Sequence, residues 1–253
     1  MRVVGVQHDI VFEDAKATLD SVTPLLDAAA RFADLVVLPE MFSTGFTMRP
    51  ERVAEPHEGR SASFLADAAA RHGCWVAGSV PTDPDDGGLP VNRLHVISPD
   101  GTRHHYDKLH PFSFGGEHEK YRAGTATLVT NVGGLRCAWF VCYDLRFAPV
   151  FWDLARDCDA YVVVANWPAA RRSHWDRLLQ ARAIENQAYV VGVNRVGLAG
   201  RIGHDGGTAI IGPTGERLAV ADDSVEAYVG AEISHTDVAA VRQRYPFLDD
   251  RRG

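Results

Sequence analysis

Apolar runs and polar breaks alternate along the whole chain, and their periods predict an α/β protein. VVGVQ (3–7), DLVVLPE (34–40), LRCAWFVC (135–142), AYVVVAN (160–166) and AYVVGVNRVG (188–197) read as strands. Runs this continuous fit strands buried on both faces, as in parallel sheets. WVAGSVP (75–81), NRLHVISP (92–99), TRHHYDK (102–108) and EAYVGAEI (226–233) are further strands, with PDG as the turn between the second and third of these. GTAIIGPTGERLAVA (207–221) reads as a hairpin with PTG at its tip. Helical periods fall at 14–32, 147–156, 174–187 and 235–244, with Pro24 a kink or break in the first. SASFLADAAARHG (61–73) adds a helix with Ser61 as N-cap and Gly73 as its stop.

Pro, Gly and Asp crowd only 81–90, which is short enough to be a loop, and no linker or repeat appears. We therefore read 1–253 as a single α/β domain. Parallel crossovers mix with antiparallel hairpins, which favours a two-sheet core with outer helices.

The composition, 46% hydrophobic and 23% charged, supplies a sizeable core. A net charge of −7 without a Lys/Arg cluster argues against nucleic acid, but not against a local cationic site for a small anion. The opening MRVVGVQHDIVF lacks a secretory pattern, and no apolar run approaches the roughly 20 residues of a membrane span. A cytoplasmic protein with free thiols is expected. Cys74, Cys137, Cys142 and Cys158 lack CxxC spacing, so no metal site is suggested.

Three polar residues stand at the ends of apolar strands: Glu40 after LVVLP, Lys108 after HHYD, and Cys142 after AWFV. In α/β folds such positions tend to face one crevice. Together they make chemical sense. A thiol is mostly protonated at neutral pH and needs a base, which a carboxylate can supply. An ammonium can hold the oxyanion of a tetrahedral intermediate, beside the backbone N–H that follows the nucleophile, here that of Tyr143. Taken singly, each residue also fits a plain role: Cys142 as core, Glu40 as a cap, Lys108 as a surface partner of Asp107.

LVVLPEMFSTGF, YDKLHPFSFGGEHEKYRAG and CAWFVCYDLRF resemble, in order, the three signature blocks of the nitrilase superfamily of carbon–nitrogen hydrolases. NWPAARRSHWDRLLQARAIENQAYVVGVNRVG is most similar to the YafV-type ω-amidase branch. The resemblance implies a four-layer αββα sandwich, assembled as a homodimer or larger homo-oligomer. It implies a Glu–Lys–Cys triad at Glu40, Lys108 and Cys142, with a second active-site carboxylate at Glu117, preferred over Glu119. It implies hydrolysis of a small ω-amide of a dicarboxylic 2-oxo acid, of the 2-oxoglutaramate or 2-oxosuccinamate type, through a cysteine thioester, with no cofactor. It also implies that Arg146 holds the substrate carboxylate, and Trp167 and Arg171 are further pocket candidates. On sequence alone Arg146 fits equally an ion pair with Asp144 or Asp153, and Trp167 fits the core. Two positions depart from the family pattern. Pro111 stands in HPF where HLF is usual, and His204 stands where an aromatic is usual; His204 is expected at the surface or hydrogen-bonded. Other readings are an N-carbamoyl amide hydrolase or aliphatic amidase, and a non-catalytic scaffold. A papain-like Cys–His pair has no motif to support it.

Overall fold

The computed structural model describes residues 1–252. One six-stranded sheet runs, in spatial order, Ala227–Glu232 (β14), Arg2–Gln7 (β1), Leu35–Val37 (β2), Trp75–Thr82 (β3), Val91–Ile97 (β4) and Arg103–Asp107 (β5). A second runs Arg217–Val220 (β13), Ala209–Ile211 (β12), Tyr189–Asn194 (β9), Ala160–Ala165 (β8), Leu135–Val141 (β7) and Val129–Val132 (β6). The central strands β1–β2–β3 and β7–β8–β9 are parallel, and the flanking strands are antiparallel. A separate hairpin pairs Val196–Ala199 (β10) with Ile202–Asp205 (β11). The helices are Ala15–Ala30 (α1), Pro50–Val53 (α2), Arg60–His72 (α3), Ala148–Asp153 (α4), Arg172–Asn186 (α5) and His235–Arg244 (α6).

Side-chain alternation sorts these elements into layers. Val4, Val6, Val36, Leu38 and Val76 pack outward against Leu26 of α1 and Leu65 of α3. Their strand neighbours Val3, Leu35, Val37 and Ala77 point the other way, into a core shared with Trp139 and Val162 of the second sheet. On that sheet's far face lie Trp175, Leu179 and Ala183 of α5. The result is the expected order of helix, sheet, sheet, helix. Each fully buried Val, Leu or Phe contributes roughly 1.5–3 kcal/mol, so the two interlayer cores hold the sheets in fixed register.

Several boundaries differ from expectation. α1 runs unbroken through Pro24, because Leu19, Val22 and Leu26 lock both halves onto the same sheet face. α3 starts at Arg60 with Gly59 as N-cap, not at Ser61. Glu55, from the preceding loop, accepts the Ser61 N–H at 2.6 Å and the Ser61 hydroxyl at 2.8 Å, and so caps the helix from outside. The run AYVVGVNRVG splits at Arg195, which is fully buried and ion-paired to Asp9 at 2.7 Å. Its second half becomes β10 of the separate hairpin. β6, α2 and β11 carry no strong pattern and were not expected.

The parallel strands explain where polar groups gather. Glu40 follows β2, Cys142 follows β7 and Asn166 follows β8, so all three leave the carboxyl ends of parallel strands. β5 is antiparallel to β4, and β4 to β3, so Lys108 leaves β5 at the same edge.

Candidate active site

Two of these strand ends adopt backbone conformations that a side chain disfavours. Met41, next to Glu40, has φ +42°, and Cys142 has φ +47°. Each costs about 1–3 kcal/mol and persists only where the surroundings impose it. At Cys142 the imposing group is Asp144. Its buried carboxylate accepts the Val141 N–H at 3.0 Å, folding the 3-10 turn Cys142–Arg146 back on its strand. It also accepts the Tyr106 hydroxyl at 2.7 Å and the His110 N–H at 2.9 Å. One side chain thus ties the cysteine turn to the segment that carries Lys108. Gly124 tightens the same segment: its N–H donates to the Lys108 carbonyl at 2.8 Å, and a Cβ there would lie 2.0 Å from the Asp107 oxygen.

Lys108 is almost completely buried, with Nζ 2.9 Å from Glu40 Oε1 and 2.8 Å from Glu117 Oε2. Burial alone would lower its pKa, but the Glu117 and Glu40 charges outweigh that and hold it well above the ordinary value. It is therefore a permanent ammonium. Burial raises the Glu117 pKa, with Glu40 adding and Lys108 opposing. Phe112 N–H donates to Glu117 Oε2 at 2.6 Å, and Asn166 N–H to Glu40 Oε2 at 2.8 Å. Glu119 is exposed, its carboxylate 4.0 Å from His118. Of the two glutamates weighed, Glu117 is the one brought to Lys108.

Burial and the neighbouring Glu40 charge push the Cys142 thiol well above its ordinary pKa, with Lys108 pulling the other way. The resting sulfur is thus a protonated thiol beside a carboxylate. Such an arrangement can attack an electrophilic carbon only as its proton moves to that carboxylate.

Glu40, Lys108, Cys142 and Tyr143 border a cavity of about 720 Å³. Arg146, Trp167 and Arg171 line it too. Arg146 makes no ion pair with Asp144 or Asp153. Its guanidinium lies 4.8 Å from the Trp167 ring centre and 3.2 Å from His174 Nδ1. Arg171 lies over Phe112 at 5.4 Å. By contrast Arg49, on the same wall, is neutralised by Glu13 at 2.7 Å. Trp167 serves both readings weighed for it: it is only 3% exposed, packs in the core beside Trp175 of α5, and lines the cavity. His204 is not at the surface, one of the two placements expected for it; the hydrogen-bonded alternative stands. It is a buried residue of β11 itself and lines the cavity, and burial lowers its pKa to about 4. A neutral imidazole is what the site meets there near neutrality.

Sequence reading did not single out Asn92, Ser79, Asn166 or Asp144. Asn92 Nδ2 donates to Glu40 at 2.9 Å and Glu117 at 3.2 Å. A buried Asn opening an apolar strand was the available signal, but its partners lie 52 and 25 residues away. Among the described residues no group of His, Cys, Asp and Glu is arranged to hold a metal ion, and no helix is long and apolar enough to cross a membrane.

The chain has similar relatives among known proteins. The chain is 41% identical over 251 residues to the omega-amidase YafV of Yersinia enterocolitica, covering 99% of this chain and 96% of that protein. It is 31% identical over 250 residues to a 2-oxoglutaramate amidase of Bacillus subtilis, covering 97% and 95%. Among solved structures, XC1258 of Xanthomonas campestris superposes with a TM-score of 0.93 at 38% identity, over 100% of this chain and 97% of that one. XC1258 is a CN-hydrolase superfamily protein that carries an arsenic adduct in its active site. The carbon-nitrogen hydrolase profile matches residues 2–243, and with these relatives it establishes that the chain belongs to the carbon-nitrogen hydrolase family.

Proposed function

We propose that the protein is an ω-amidase that hydrolyses the terminal carboxamide of a small 2-oxo dicarboxylic acid monoamide of the 2-oxoglutaramate type. Cys142 Sγ attacks the carboxamide carbon while Glu40 takes the thiol proton. Lys108 and the Tyr143 N–H hold the oxyanion. Glu40 then passes its proton to the departing nitrogen, the C–N bond breaks, and ammonia leaves a thioester on Cys142. Water attacks the thioester as Glu40 takes a proton from it. The second tetrahedral intermediate expels the sulfur, which recovers its proton from Glu40, and the acid departs. Glu117 keeps Lys108 charged and in place throughout.

The observation that carries the choice of substrate is Arg146. Its guanidinium faces the cavity with no carboxylate partner among the described residues, and it sits in the same turn as Cys142. Tethering fixes the distance between the anion anchor and the nucleophile, and the planar fork suits a carboxylate. The similarity to an omega-amidase and a 2-oxoglutaramate amidase points the same way. Arg146→Ala should raise KM for 2-oxoglutaramate about 10- to 100-fold, the value of a hydrogen-bonded charge pair, with a smaller change in kcat. Neutral aliphatic amides should be unaffected. Steady-state ammonia release on both substrate classes decides the matter; equal losses on both would remove Arg146 as the anchor.

The whole chain acts as one hydrolase unit, and we place it in the cytoplasm as a homodimer. The chemistry needs a reduced Cys142, and all four cysteines are free. Pairing is supported by Trp152 of α4, Ile184 of α5 and Phe247, large apolar side chains left 43–62% exposed. Cell fractionation and light scattering test both points. A monomeric mass near 27.6 kDa would refute the dimer, and recovery outside the cytoplasm would refute the location.

A further inference from the structure

The acceptor positions of the two glutamates can be counted. An ionised carboxylate offers about four. Glu40 Oε1 takes Lys108 Nζ and Asn92 Nδ2, and Oε2 takes the Asn166 N–H. One position remains, and the Cys142 thiol is a hydrogen-bond neighbour of this carboxylate. Glu117 Oε2 takes Lys108 Nζ and the Phe112 N–H, and Oε1 takes Asn92 Nδ2. Asn92 is therefore the one neutral side chain that donates to both carboxylates.

Its orientation is not free. The strained Met41 backbone aims its N–H at Ser79 Oγ, 2.8 Å away. With that oxygen accepting, the Ser79 hydroxyl donates to Asn92 Oδ1 at 2.8 Å. The Asn92 amide must then turn its NH2 group toward the glutamates, one hydrogen for each. The chain runs in one direction, from a backbone amide through a hydroxyl and a carboxamide to two carboxylates. All its members are buried. An Asp at position 92 would bring a third negative charge, and an apolar residue would leave two acceptors facing nothing.

We propose that Asn92, oriented by Ser79, is a positioning residue that holds Glu40 and Glu117 in register and keeps the last open acceptor of Glu40 on the Cys142 thiol. This deepens the reaction proposed above and rests on it for the kinetic readout, though not for the chemical one described next. Asn92 touches neither substrate nor sulfur; it acts through the two glutamates. Removing its hydrogens favours their protonated forms, so the base would be lost at a higher pH than in the native enzyme.

The test uses Asn92→Leu, close in volume, and Ser79→Ala, which keeps the amide but frees it to turn. For Asn92→Leu, kcat should fall about 10- to 100-fold, as misplacement of a base does, with KM within about two-fold. The acid limb of the kcat–pH profile should move up by about one pH unit. Ser79→Ala should change both in the same direction by less. The pH dependence of iodoacetamide alkylation at Cys142, with Cys142→Ala as the blank, should show the same acid-limb displacement. That measurement needs no amide substrate, so it stands even where native protein releases no ammonia and the ω-amidase reading itself has failed. An unmoved acid limb in both variants overturns the proposal. So does a loss confined to KM. Where Asn92→Leu does not fold, Ser79→Ala decides the question by the same limb.

Discussion

Replacing Cys142 with Ala should remove ammonia release from 2-oxoglutaramate, with kcat falling on the order of 10⁴–10⁶-fold. No other group at the site can take over the sulfur's part. Lys108 is held as an ammonium by two carboxylates, so it has no lone pair to offer. Glu117 and all but one acceptor position of Glu40 are taken up by Lys108, Asn92 and backbone amides, and the remaining position serves as the base. A direct attack by water would keep the oxyanion donors, and these alone leave the residual rate. The fold should be unaffected. Ala occupies φ +47° at about the same cost as Cys, and Asp144 still holds the turn through the Val141 N–H. A thermal melt and a coupled ammonia assay on the same preparation are sufficient. A correctly folded Cys142→Ala protein that retains more than a few per cent of native activity would end the thioester mechanism.

What the sequence made legible follows from what is local. The strands at 34–40, 102–108 and 135–142 end in Glu40, Lys108 and Cys142, and the two sheets bring these ends to one edge whatever their separation. Glu40, Lys108 and Cys142 were therefore visible as candidates before any coordinates. Glu117 was not visible in that way; its loop has no period, and only the likeness to a signature block singled it out. Asn92 and Asn166 escaped because each reads locally as an ordinary strand terminus. Their importance lies in bonds to Glu40 across 52 and 126 residues. Of the two placements expected for His204, the surface one does not hold, for the same reason. Its segment is rich in glycine and looks like a surface turn, and the β10–β11 hairpin that carries it is itself split from a strand by the buried Arg195–Asp9 pair. Ser61 lies inside the first turn instead of at the cap, and a carboxylate six residues upstream accepts its N–H in the way a cap would. Each miss is a tertiary partner displacing a local preference.

Lys108→Met should cost both activity and stability, and the stability loss should grow with pH. The ammonium is the sole cation between two buried carboxylates. Deleting it removes the proposed oxyanion donor, an expected loss of about 10²–10³ in kcat, and also lets Glu40 and Glu117 repel each other out of register. Breaking a buried charge pair typically costs about 3–5 kcal/mol. The sign with pH comes from the glutamates. Burial already raises the Glu117 pKa, and Lys108 restrains it. Without that restraint it climbs further above its unfolded value. A group raised on folding stabilises fully below the unfolded pKa and loses that contribution as pH rises through the folded one. The variant should therefore sit nearest to native stability at about pH 5 and furthest from it at about pH 8. Native Lys108, whose own pKa is raised above 10.5, keeps its full contribution across that whole window. Urea midpoints at the two pH values read the difference directly. Adding Glu117→Gln to Lys108→Met removes one of the two opposed charges, so it should recover part of the lost stability at the higher pH while recovering no activity. A deficit equal at both pH values, and unchanged in the double variant, would mean that the three groups are not the ionised cluster on which the reaction depends.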